Sequence, residues 1–192
     1  MNMKRLIITL VAAFTMLALP LSAQEKEGFK KFDVVKEFSD NGFKWFSDAR
    51  LLCAGDYTKS NAMTIGWGAI GTAWGRPALT VYVAQQRYTK EFIDKTENFT
   101  VMTFENGDVL TYMGTKSGRD GDKAQALGLT TAYTANGTPY YTEAKVVIEC
   151  KLMYGAPFDS KGFKDVPKQM YKHMPSTIHW MYIGEVLNAW KK

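Results

Sequence analysis

Short apolar runs, each cut by Gly, Asn or Asp, recur from residue 50 to the end of the chain. ARLLCAGD reads as a strand closing in a turn, and ALTVYVAQ, Ala78 to Gln85, as a strand entered just after Pro77. FTVMTF, Phe99 to Phe104, is a further strand. In EAKVVIECKLMYG, Ala144, Val146, Ile148 and Cys150 alternate with Lys145, Glu149 and Lys151, which predicts a half-buried strand with Glu149 on its polar face. HWMYIGEVLNAW, His179 to Trp190, is the last strand. Between them KEFIDKT, DVLTYMG and DKAQALG have helical spacing, the last stopped by Gly128. MTIGWGAIGTAWG starts as a strand, but Gly66, Gly68, Gly71 and Gly75 interrupt it, the mark of a bulge or a close backbone approach. GAPFDSKGFKDVPKQMY, from Gly155, is a long polar excursion that could cap a site, arm a dimer or lie on the surface. About six strands with a few short helices at their turns predict a mainly β protein, an antiparallel barrel rather than a βαβ sheet.

The 192 residues suffice for one domain with a sizeable core. The first 23 residues read separately. Lys4 and Arg5 precede the uncharged apolar stretch Leu6 to Pro20, and a small-residue LSA follows, the layout of a secretory signal peptide cleaved after Ala23. The apolar stretch falls short of the ~20 residues of a membrane span, and no other segment resembles one, so the mature chain is expected to carry no integral membrane domain. Export implies a periplasmic location in a bacterial host. Residues 24–39 are charged and read as a flexible lead-in, which leaves residues 40–192 as the folded domain.

The formal charge of +5 falls to +3 once Lys4 and Arg5 are removed. The cations are scattered rather than clustered, which argues against nucleic-acid binding. Cys53 and Cys150 lie inside strand-like runs and read as two buried thiols, with a disulfide as the alternative that export permits. With His173 and His179 they form no metal-ligand spacing.

Three stretches carry candidate chemistry. NAMTIGWGAIG, from Asn61, offers exposed backbone N–H groups beside the flat ring of Trp67. QQRYTKEF places the fork of Arg87 and the hydroxyl of Thr89 where a helix starts, which suits an anion. GTKSGRDGDK, Gly114 to Lys123, combines Ser117 and Gly118 with the cations Lys116, Arg119 and Lys123, the donor set a phosphate rewards. Each stretch also has an ordinary structural explanation: a tight barrel corner, a surface arginine, a solvated turn. The last lacks the spacing of a Walker phosphate loop. Only their joint presence favours a site.

The series NAMTIGWGAIGTAWGRPALTVYV, QRYTKEFIDKTENFTVMTF, GTKSGRDGDKAQALGL, AKVVIECKLMY and HWMYIGEV resembles the flavin reductase-like family of FMN-binding split barrels, in order, from about Phe46 to Asn188. The resemblance implies an antiparallel split β-barrel with a few short helices, a homodimer, and FMN as cofactor. It implies that Arg87, Thr89, Ser117, Gly118 and Lys123 hold the FMN phosphate, with Tyr88 a further cofactor-binding residue. It also implies that Asn61, Ala62, Met63, Thr64, Gly66, Trp67 and Gly68 run along the flavin ring and ribityl chain. The implied activity is electron transfer through FMN as an oxidoreductase, with no particular residue assigned a catalytic role. Because nicotinamides stay inside cells, an exported member is expected to use a redox protein, a quinone pathway or a small-molecule acceptor. The competing class is a non-catalytic binder of flavin, haem or another planar ligand.

Overall fold

The computed structural model describes residues 28–38 and 42–192. The expected signal peptide, residues 1–23, lies outside the described residues. The first described element is β1 (Lys30–Lys31), followed by the one-turn helices α1 (Val34–Glu37) and α2 (Gly42–Trp45). Strands β2 (Arg50–Gly55) and β3 (Ser60–Ile65) form a hairpin, as do β4 (Gly68–Ala73) and β5 (Arg76–Ala84). Helix α3 (Tyr88–Thr96) leads into β6 (Asn98–Thr103), and α4 (Gly107–Thr115) and α5 (Lys123–Ala126) follow. A small hairpin, β7 (Thr131–Tyr133) and β8 (Pro139–Tyr141), precedes the long strands β9 (Val146–Pro157) and β10 (His179–Lys191). Helix α6 (Asp165–His173) lies between those two.

The main sheet runs β3-β2-β6-β9-β10-β5-β4, every neighbouring pair antiparallel. Its two end strands, β3 and β4, are consecutive in the chain and joined through Gly66 and Trp67 alone. The sheet therefore curls until its ends meet, which makes a split barrel. Register shifts in β10 against β9, at Ile183/Gly184 and Val186/Asn188, supply the local bends that such curling needs. At Gly184 the strands cross so closely that a Cβ would stand 2.6 Å from Phe99 Cζ. The glycine-broken segment resolves into ordinary parts. Gly68 and Gly71 lie within β4, and Trp74 and Gly75, both at positive φ, form the two-residue turn into β5.

Neighbouring residues of one strand enter two different cores. Leu52, Val101 and Ile148 pack inside the barrel with Val81, Phe99 and Tyr182. Leu51, Met102 and Val147 pack outside it, against Val109 and Met113 of α4 and Tyr141 of β8. Strands β2, β6 and β9 are thus buried on both faces, which explains why LLC and VVI are continuous apolar runs. Each large side chain so buried contributes about 1.5–3 kcal/mol. Cys53 faces the outer core and Cys150 the inner, both as free buried thiols. Burial pushes the Cys53 thiol up to about 12, so it stays neutral and unreactive.

Two expectations change, and one hairpin appears that the pattern does not show. The charged lead-in packs on the barrel over its described part: Phe29 is buried, β1 pairs with β10, and Glu37 bridges Lys191 at 2.8 Å. Its phenylalanines, Phe29, Phe32 and Phe38, outweigh the charge around them. The β7–β8 hairpin has no counterpart in the apolar pattern, because three-residue strands are too short to show a period. Glu149 is not on a polar face but is fully buried. Its Oε1 accepts hydrogen bonds from Thr134 (2.5 Å), Thr138 (3.0 Å) and Asn136 (3.1 Å), and its Oε2 from Asn188 (2.9 Å). The carboxylate thereby ties the β7–β8 turn to β10. Replacement Glu149→Leu would leave those donors unpaired, and urea denaturation should show a loss of about 2–4 kcal/mol.

Candidate functional site

Helix α3 starts where β5 ends, and Arg87 stands at its N-cap with no side chain capping the turn. The first N–H groups of such a helix are unpaired within it and carry a partial positive charge. Arg87 turns its guanidinium across to the end of α4, where Nη1 donates to Gly114 O at 3.0 Å. Burial lowers the pKa of that guanidinium without threatening its charge. Thr89 is fully buried, and its hydroxyl accepts from Asn61 Nδ2 of β3 at 2.7 Å. The loop after α4 closes over this pair. At Gly118 a Cβ would overlap Asn61 Oδ1, so only glycine lets the loop backbone come this near β3. Ser117 Oγ accepts from Arg119 N at 3.2 Å and shapes the turn.

These elements enclose a cavity of about 160 Å³. Of the residues singled out from the sequence, Asn61, Met63, Arg87, Tyr88, Thr89, Ser117, Gly118 and Lys123 all line it. Gln86, Thr115, Lys116 and Arg119 complete the wall. Arg119 entered the sequence reading only as loop charge. In the fold it covers the Tyr88 ring at 4.5 Å, pairs with Glu91 and donates to Gln86 O. Its place beside Ser117 and Gly118 was the available signal.

Lys123 behaves differently from a surface cation. It sits in the first turn of α5, behind the N-cap Asp122, and is 6% exposed. Its ammonium donates to Ala62 O (2.6 Å), Met113 O (3.1 Å) and Lys116 O (3.2 Å). All three N–H bonds are thus spent on backbone, and the residue acts on the cavity through its charge. Burial, and then the nearby Arg87, lower its pKa to about 8.

The remaining predicted residues lie elsewhere. Ala62 lines an adjoining polar cavity of about 440 Å³, which shares Asn61, Gly118, Arg119 and Lys123 with the first. Thr64 donates to Leu110 O of α4 at 2.5 Å. Gly66 has open space where a side chain would stand, and Gly68 backs onto the Phe46 ring. Trp67 packs on His179 and lines a third, apolar cavity. Sequence proximity to Asn61 does not carry these residues to the small cavity, because β3 runs away from it. Among the described residues no group of His, Cys, Asp and Glu is placed to hold a metal, and no helix is long and apolar enough to cross a membrane.

Fold and cavity together define an antiparallel split barrel with a cation-lined polar pocket. Residues 49–192 match the flavin reductase like domain, and the chain belongs to that family, whose role is flavin-related redox chemistry. Solved structures of the same fold include a flavoredoxin from Methanosarcina acetivorans, with TM-score 0.59, 24% identity, and coverage of 75% of this chain and 68% of that one. An FMN-binding domain of a flavin reductase-like enzyme from Shewanella baltica gives TM-score 0.62 at 18% identity, covering 85% and 76%. The flavoredoxin of Desulfovibrio vulgaris gives 0.58 at 23%, covering 75% and 69%. Comparison with curated proteins returned no match.

Replacing Gly118 by Ala should push the loop off β3 and break the Asn61–Thr89 bond. A thermal melt is expected to show a loss of about 1–3 kcal/mol, the usual cost of overpacking, whereas Gly107→Ala, which meets no atom within 4 Å, should show no such loss.

Proposed function

We propose that this protein binds FMN and passes electrons through it, as an exported oxidoreductase or electron-transfer member of the flavin reductase-like family. The observation that carries the reading is the convergence, on one small cavity, of the uncapped start of α3, the half-buried Arg87 guanidinium and the buried charge of Lys123. That donor set fits a phosphomonoester of close to two negative charges. Arg87, the first N–H groups of α3 and the backbone at Ser117 and Gly118 would hold the phosphate; Lys123 would add field without a direct bond. Asn61 and Met63 would stand where the flavin leaves the phosphate site. Bound FMN would supply reversible two-electron chemistry, while the chain positions it and sets its surroundings.

The signal-peptide layout of residues 1–23 supports export, and a compartment poor in nicotinamides. The electrons are therefore proposed to come from another redox protein or a quinone pathway, and two copies of the chain to assemble as a dimer. The protein purified from its own compartment should absorb near about 450 nm, as flavins do. Stopped-flow mixing with NADH or NADPH should bleach that band only slowly. A Soret band, or a colourless protein that refuses FMN, would defeat the flavin reading; rapid bleaching at micromolar nicotinamide would defeat the choice of donor alone.

The cationic wall can be titrated. Arg87→Ala should weaken FMN binding about 5- to 150-fold, the worth of one charge-assisted hydrogen bond at ~1–3 kcal/mol. Because the Lys123 ammonium is held at about 8, it sheds its proton as pH rises through 8, while the phosphate stays doubly ionised. FMN affinity should therefore fall between pH 8 and 10, and this fall should vanish in Lys123→Met. Equilibrium titrations followed by flavin fluorescence measure both effects.

A further inference from the structure

The loop between α4 and α5 walls the small polar cavity, and two adjoining residues fix it in two different ways. At Gly118 the hold is steric, because the backbone lies so near Asn61 of β3 that no side chain fits. At Arg119 the hold is a side chain thrown across to α3. Its Nη1 donates to Gln86 O at 3.3 Å, its Nη2 pairs with Glu91, and the guanidinium carbon stands 4.5 Å from the centre of the Tyr88 ring. Among the described residues, these are the hydrogen bonds that tie residues 117–121 to α3 and the turn before it. Within the loop, Arg119 N donates to Ser117 Oγ and Asp120 N to Ser117 O, both at 3.2 Å, so the turn moves as a unit with Arg119.

Arg119 differs from Arg87 and Lys123, which line the same cavity. Those two are fixed to backbone carbonyls from half-buried and buried positions. The Arg119 side chain is 47% exposed and that of Glu91 60%. An ion pair this open adds little to the stability of the fold and opens readily. Glu91 lies in the first turn of α3, the end where the phosphate is proposed to sit. An acid there complements the helix dipole, but the dipole does not require an arginine from another segment to lie on it. By its own charge Glu91 would oppose an incoming anion.

We propose that Arg119 is the latch of this cavity, a positioning residue that clips the loop to α3 through Glu91. It thereby retains FMN as a resident cofactor without bonding the phosphate itself. The identity of the retained ligand rests on the flavin reading; the latch does not. One substitution separates a latch from a merely electrostatic role by its sign. Glu91→Gln removes a negative charge near the anion site, which by Coulomb attraction alone should slow FMN release. It also unties Arg119, which should speed release.

The test uses the full chain loaded with FMN, diluted rapidly and followed by the recovery of flavin fluorescence. Release should quicken about two- to fivefold in Glu91→Gln and about three- to tenfold in Arg119→Leu, where the ring contact is lost as well. Arg119→Lys should fall between wild type and Arg119→Leu, since lysine keeps the charge but not the fork. Association should be no slower in any of the three. The difference between wild type and Glu91→Gln should shrink in about 1 M NaCl, where the screening length is about 3 Å. In the flavin-free chain, amide hydrogen exchange at residues 117–121 should rise in Glu91→Gln and in Arg119→Leu while the melting temperature holds. Slower or unchanged release in Glu91→Gln, or unchanged loop exchange in both variants, would overturn the latch. Failure of FMN to bind would defeat the flavin reading instead, and the exchange measurement would then decide the latch.

Discussion

The Lys123 ammonium sits where β3, the end of α4 and the loop beyond it converge, and its N–H bonds are spent on one carbonyl from each. A charge so enclosed is costly unless its donors are satisfied, and β3, far away in sequence, must come against the end of α4 and its loop to satisfy it. The small polar cavity is a consequence of that convergence. With β3 held against the loop, Asn61 reaches Thr89, and Gly118 has no room for a side chain. The same enclosure lowers the lysine's hold on its proton and makes its charge sensitive to what enters beside it.

The barrel supplies the frame. Strands β2, β6 and β9 bury both faces, one into the barrel and one under α4 and the β7–β8 hairpin. A sheet packed on both faces tolerates few polar side chains, and Glu149 is admitted only with four donors around it. The helix that bounds the cavity, α4, is thereby fixed to the sheet through apolar contacts of Val109 and Met113. The carbonyl of that same Met113 is among those that hold Lys123. Core packing and the charged site are therefore coupled through one short helix.

The excursion after β9 shows the opposite design. Its rings, and none of its lysines, line an apolar cavity that Trp67 also walls. Two cavities of unlike lining therefore stand on one barrel.

Much of the barrel was legible in the chain itself. Apolar period and turn residues located β2, β5, β6, β9 and β10 and the helix α3, because those signals are local. The QRYT and KSGRDGDK stretches marked Arg87, Thr89, Ser117, Gly118 and Lys123 as candidates through residue type alone. What local pattern cannot carry is which face of a strand meets a second layer, so Glu149 read as polar surface and residues 29–38 as loose chain. Nor can it carry distance between segments. That Asn61 meets Thr89 across 28 positions, that Lys123 spends its donors on backbone, and that Trp67 turns to the apolar cavity were decided only when the sheet curled and closed. Sequence determined the elements and their chemistry; long-range packing decided which of those side chains share a cavity.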